Sequence, residues 1–192
     1  CLSCLRSRGS CLRSVCPVCV LALARWQLEF EYEEETTEVN ELTLNGLDYK
    51  LLQFHFHTSS EHTVNGEQYP MEVHLVHKNA STGNYAVIGI LFEEGDENTV
   101  LANFTDDLPT VVGEVFTSEN MLNAADLLPA DEAYFTYGGS LTTPPCYEKM
   151  TWMVMKMPMQ ASAAQIQNIH NIIQDNFRPI QALNGRTIGE FN

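Results

Sequence analysis

Apolar and polar positions alternate in two stretches of this chain, Leu51-Leu52-Gln53-Phe54-His55-Phe56-His57 and Met71-Glu72-Val73-His74-Leu75-Val76-His77. A period of two predicts strands whose alternate side chains share a face. In the first, Gln53, His55 and His57 point one way while Phe54 and Phe56 point the other. In the second, Glu72, His74 and Val76 lie on one side. Pairing of the two strands would bring three imidazoles together.

The remaining pattern is also mostly β. Leu28-Glu29-Phe30-Glu31-Tyr32 alternates, and Glu41 to Leu44, Asn45-Gly46 and Asp48 to Leu52 read as strand, turn and strand. Asn65-Gly66 is a second hairpin signal between the histidine strands. Tyr85 to Phe92 is apolar throughout, as expected of a central strand buried on both faces. Asp96 to Phe104 and the stretch to Phe116 have mixed helical character, and Ala124 to Leu128 predicts a short helix. Tyr134 to Tyr137 returns to strand, with Gly138-Gly139 expected to break it. Thr142-Thr143-Pro144-Pro145 predicts an extended loop, since neither proline can donate a backbone hydrogen bond. Met150 to Met155 is a further strand, Gln160 to Phe177 a helix with Ile166, Ile169, Ile172 and Ile173 on one face, and Arg178 to Asn192 loop and short strand. The fold class is mainly β (α+β): a central, mostly antiparallel twisted sheet with a few peripheral helices.

At 192 residues the chain is sized for one domain with a real core. Its formal net charge of -15 argues against nucleic-acid binding, which needs a basic surface. No apolar run approaches the length of a membrane span. Residues 1–25 stand apart, with Arg6, Arg8, Arg13 and Arg25, no acid, and five cysteines (Cys1, Cys4, Cys11, Cys16, Cys19). Three readings compete there. The paired cysteines are a poor match to a zinc ribbon because the spacer is short. The apolar run Val18 to Ala24 after the arginines resembles the end of a targeting peptide. A start at Cys rather than Met, with no periodic pattern before Trp26, is compatible with a fragment end or gene-model error. The last two are favoured jointly.

The candidate chemistry is a metal site. Three neutral histidines with an open fourth position hold a catalytic zinc ion, and metal-bound imidazoles usually give their other N–H to a fixed acceptor. Gln53 lies two residues before His55 and Glu72 two before His74, so each shares the ligand face. Farther along, a hydroxyl at Thr142 that donates to an ionised Glu61 would leave its oxygen able only to accept, and so would select a proton-bearing group at the metal.

Gln53-Phe54-His55-Phe56-His57, Ser60-Glu61-His62-Thr63, Glu72-Val73-His74-Leu75-Val76-His77 and Gly139-Ser140-Leu141-Thr142-Thr143-Pro144-Pro145 resemble, in order, the signature segments of the α-class carbonic anhydrases. Tyr134 to Tyr137, Thr151-Trp152 and Asn176-Phe177-Arg178-Pro179 resemble further blocks, so the likeness runs from about Trp26 to the C-terminus. It implies an α-carbonic anhydrase-like fold and reversible hydration of carbon dioxide to bicarbonate and a proton, by attack of zinc-bound hydroxide. His55, His57 and His74 would be the Zn2+ ligands, Gln53 and Glu72 their outer partners, and Thr142 with Glu61 the orienting pair. Thr143 would shape the bicarbonate site. Val76, Val87, Leu141 and Trp152 would form the apolar wall for CO2; without the resemblance all four read as core.

The resemblance also implies what is missing. Family members normally carry roughly sixty further residues before this point, judged by their single-domain size. The expected division is therefore 1–25, a leader of foreign composition, and 26–192, a catalytic domain lacking its N-terminal portion. Ala24 falls where the family has its proton-shuttling histidine, so no shuttle is assigned. Cys146 matches a position that is disulfide-bonded in secreted members. With the sequons Asn79-Ala80-Ser81 and Asn103-Phe104-Thr105, it favours a secreted or endomembrane glycoprotein, an organelle being the alternative. Two other classes remain open: a carbonic-anhydrase-like binding or structural module, and an inactive truncated product. A zinc peptidase is disfavoured because no His-Glu-x-x-His occurs.

Overall fold

The structure is a computed structural model that describes every residue except 1–10, 14–18, 25–26, 33–40, 106–107, 112–114 and 118–122; residues 11–13, 19–24, 27, 31–32 and 115–117 are described by backbone alone. The strands are β1 (Cys11–Arg13), β2 (Cys19–Ala24), β3 (Gln27–Tyr32), β4 (Glu41–Leu44), β5 (Leu47–His57), β6 (Thr63–Val64), β7 (Glu67–Gln68), β8 (Met71–Lys78), β9 (Tyr85–Glu94), β10 (Val115–Thr117), β11 (Tyr134–Gly139), β12 (Met150–Met155), β13 (Met159–Ala161) and β14 (Gly189–Phe191). Helices α1 (Thr99–Ala102) and α2 (Ala163–Ile173) and a 3-10 turn at Ala124–Leu127 complete the described elements. One sheet runs in the order β10-β2-β3-β5-β8-β9-β12-β11-β14, with β1 and β4 extending it beside β5 and β13 beside β9. Pairing is antiparallel except where β9 meets β12 and β13.

Alternation along β5 fixes the two faces. Phe54 and Phe56 are fully buried in the main core, Phe54 stacking on Phe30 of β3 at 4.3 Å and Phe56 meeting the same ring edge-on at 5.9 Å. Each such ring contributes on the order of 2–3 kcal/mol by burial. Their anchoring turns His55 and His57 to the opposite face, because neighbouring side chains on a strand point apart. A second, smaller cluster of Val76, Val87, Met150 and Trp152 lies apart from that core.

Several boundaries differ from the expectation. Gly138 and Gly139 are the last two residues of β11 rather than a break before them, pairing with β12 through Gly138↔Thr151 and Gly139↔Met150. A Cβ on Gly139 would lie 2.8 Å from Trp152 Cδ1 and 2.9 Å from Tyr137 Cε2, so the glycine gives the two rings room to pack. The helix expected over 160–177 is shorter. Met159–Ala161 is taken by β13, Ser162 caps α2 through a capping box with Gln165, and Gln174 leaves the helix at φ 54. Ile169 and Ile173 are buried on its inner face as expected. Between Asp96 and Phe104 only Thr99–Ala102 is helical, opened by the Asn98 side chain. In the continuation toward Phe116, Thr105 and residues 108–111 are turn or irregular, Val115–Thr117 form strand β10, and 106–107 and 112–114 lie outside the described residues.

The leader contributes β1, paired with β4, and β2, set between β3 and β10. An unbroken apolar run suits a strand as well as a targeting segment, and residues 19–24 of that run are paired as a strand. Cys1, Cys4, Cys16, Arg6, Arg8, Arg25 and Trp26 lie outside the described residues.

Candidate metal centre

In the β5–β8 ladder His55 stands opposite His74 and His57 opposite Glu72, a register displaced by an irregularity between Leu51 and Gln53. The ring centroids of His55 and His57 are 4.9 Å apart, those of His55 and His74 5.3 Å, and those of His57 and His74 4.6 Å. One ligand nitrogen from each lies within 4.8 Å of the others, and all three residues are buried. The expected convergence is present.

Each ring has its other nitrogen engaged. His55 Nδ1 donates to Gln53 Oε1 at 2.8 Å, His74 Nε2 to Glu72 Oε1 at 2.9 Å, and His57 Nδ1 approaches the Asn176 carbonyl at 3.4 Å. That leaves Nε2 of His55, Nε2 of His57 and Nδ1 of His74 for a cation. His57 Nε2 is buried with no hydrogen-bond partner, an arrangement that costs free energy unless something occupies it. The donor set, three imidazole nitrogens from buried residues, fits zinc.

The electrostatics favour the neutral form at His55 and His57. Burial, with the neighbouring imidazoles, holds His55 well below 6.5, and burial lowers His57 to about 3. His74 is opposed by burial too, but the Glu72 carboxylate beside it raises its pKa on balance. Burial pushes Glu72 up, yet His62 and His74 outweigh this and keep it well below 4.5. Glu72 is therefore an ionised acceptor at the centre of a network. Its Oε1 also accepts from His62 Nδ1 at 2.6 Å, and its Oε2 from the backbone N–H groups of Glu61 (2.8 Å) and His62 (3.1 Å). Tyr137, whose pKa is raised by burial and then by Glu72, keeps its proton and donates to His62 Nε2 at 2.6 Å. His62, Glu72 and His74 thus form a second cluster of ligand-type atoms, but hydrogen bonds already satisfy it.

Glu61 Oε1 accepts from the Arg178 backbone N–H at 2.7 Å, while Oε2 is buried and unpartnered. Thr142 and Glu61 line one cavity of about 600 Å3, with no hydrogen bond between them. Val76, Val87 and Trp152 stand in one row across β8, β9 and β12, and Leu141 packs against them. The Trp152 ring lies 4.8 Å from that of His74, so this row borders the ligands. Thr143 is exposed in the following loop. Cys146 is a free thiol among the described residues.

Several contributors were not legible beforehand. Asn176 supplies its carbonyl to His57 and its side chain to Phe56 O and Thr58 N. Arg178 acts on Glu61 through its backbone. Asn176 and Arg178 stand in a block that carries the resemblance, but main-chain contacts such as these two, to His57 and to Glu61, carry no residue-type signal.

Fold and site together define a metalloprotein with a three-histidine centre on a mostly antiparallel sheet. A family model described as eukaryotic-type carbonic anhydrase matches residues 24–191, and the chain belongs to that family. A carbonic anhydrase of Klebsiella pneumoniae is 43% identical over 157 residues, covering 81% of this chain and 63% of the relative. One from a Nostoc species is 46% identical over 143 residues, covering 74% of this chain and 54% of the relative. The α-carbonic anhydrase of Thermovibrio ammonificans, solved with the inhibitor sulfanilamide, superposes with a TM-score of 0.88 at 33% identity, covering 98% of this chain and 79% of that one. The chain thus spans between 54% and 63% of these two curated relatives.

Proposed function

We propose that this chain is a zinc-dependent carbonic anhydrase, catalysing reversible hydration of CO2 to bicarbonate and a proton. The observation that carries this is the set of three buried imidazoles, each with one nitrogen held by a fixed partner or carbonyl and the other turned to a common point. Zinc, when bound, acts as a Lewis acid that brings the pKa of water to about 7, a value known from carbonic anhydrase itself.

The chain's own residues do the rest. Gln53 and Glu72 hold His55 and His74 in the tautomers that expose Nε2 and Nδ1. Thr142 lines the same cavity as Glu61 and, once turned to donate its proton to Oε2, the acceptor left open among the Glu61 contacts, would present an oxygen that orients the attacking group. Val76, Val87, Leu141 and Trp152 keep water from the apolar side where CO2 is held, and Thr143 borders the product. Metal analysis with a CO2 hydration assay tests this. One zinc per chain and turnover blocked by a sulfonamide are expected. Bound zinc without turnover would instead mark a binding module or an inactive product.

We infer further that the protein follows a secretory route. The match of Cys146 to a position that is disulfide-bonded in secreted members of the family, and the exposed Asn103 of the second sequon, support this reading. The Asn79 sequon does not, because Asn79 is buried with its amide donating to Asp48 O and accepting from Thr82. Expression through a secretory pathway should give a glycosylated band that Asn103→Gln abolishes and Asn79→Gln does not; an unglycosylated product would refute it.

A further inference from the structure

Gly89 occupies the middle of β9, the most apolar strand of the sheet, where a glycine weakens the strand and offers nothing to pack. It stands opposite His74 in the ladder with β8 and opposite Val154 in the ladder with β12. A Cβ built there would lie 2.8 Å from Glu72 Oε1, 3.9 Å from the Glu72 carboxyl carbon and 3.7 Å from Val154 Cγ2. The first distance is shorter than such contacts allow.

A clash with the end of a flexible side chain is usually relieved by rotation. Glu72 has no such freedom. It is fully buried, and its two oxygens accept from His62 Nδ1, His74 Nε2 and the backbone N–H groups of Glu61 and His62. Moving the carboxylate away from a Cβ at position 89 would stretch or break the bond to His74. His74 would then lose the contact that directs its Nδ1 toward His55 and His57.

We propose that Gly89 is a positioning residue of the metal centre: its absent side chain is the space in which the Glu72 carboxylate lies, and that space fixes the orientation of His74. This inference rests on the zinc reading above for its functional consequence, though its steric core does not.

The test is a double-mutant cycle of Gly89→Ala with Glu72→Ala, read by urea unfolding of the metal-free chains and by chelator competition for zinc. Gly89→Ala is expected to raise the unfolding constant about 10- to 100-fold and to weaken zinc binding about 10- to 100-fold. With Glu72→Ala already present, both effects should shrink to less than about threefold, because the obstructing carboxylate is gone. A glycine needed only for backbone conformation would show the full loss in both backgrounds, and that result overturns the proposal. So does zinc affinity unchanged in Gly89→Ala. If Gly89→Ala fails to fold, the double variant must fold as well as Glu72→Ala alone; its failure also overturns the proposal. A wild-type chain that binds no zinc, while the metal-free cycle still shows the coupling, would sink the enzymatic reading and sustain the steric one.

Discussion

His55 and His74 face each other across the β5–β8 ladder with ring centroids 5.3 Å apart. Opposed residues on antiparallel strands share a face, and a slip of one residue would send one ring to the other side of the sheet. Register is therefore what builds the metal centre, and the buried Phe54 and Phe56 on the opposite face hold that register.

Metal binding should be visible as stability. With free zinc at about one hundred times its dissociation constant, the wild-type chain should gain roughly 3 kcal/mol, about 5–10 °C in Tm. His55→Ala should fold but show no rise at the same zinc concentration. Differential scanning calorimetry with and without chelator makes the comparison; an equal rise in the variant would remove His55 from the ligand set.

Thr142→Ala should separate orientation from metal binding. Zinc content should stay at the wild-type level while kcat/KM falls about 10- to 100-fold, the worth of one hydrogen bond to a charged group. Thr142→Ser should restore most of it. Wild-type turnover in the alanine variant would mean that Glu61 Oε2 is served by another donor.

Acid should destabilise the chain through His77. Burial, opposed in part by the Leu75 carbonyl that its Nδ1 meets at 3.0 Å, lowers His77 to about 4 from the ordinary histidine value of 6.5. The unfolded chain takes up this proton first as pH falls, so stability is full above about pH 6.5 and declines down to about pH 4, by roughly 3 kcal/mol for this one group. Urea titrations of the metal-free chain at stepped pH should show a shallower decline in His77→Gln than in wild type. Parallel curves would exclude His77 as a source.

Gly139→Ala should disturb the apolar wall from behind. Its Cβ would sit 2.8 Å from Trp152 Cδ1, and Trp152 is already packed against His74 and His62. A stability loss of about 1–3 kcal/mol is expected, with an altered near-UV circular dichroism signal. An unchanged spectrum and midpoint would show that the ring has room to move.

The chain's local pattern determined which residues could meet. A period of two placed Gln53, His55 and His57 on one side of their own strand and Glu72 and His74 on one side of theirs, because side-chain direction in a strand depends on its own backbone alone. It likewise marked the turns at Asn45-Gly46 and Asn65-Gly66, whose positive φ values those residues accommodate. Tertiary structure alone decided what lies across a ladder or behind a side chain: the Asn176 carbonyl at His57, the Arg178 amide at Glu61, the void at Gly89 that Glu72 fills, and the strand pairing of residues 19–24. A backbone carbonyl belongs to every residue and an empty space to none, so neither leaves a mark on the amino-acid string; both come into being only when distant segments are brought into register.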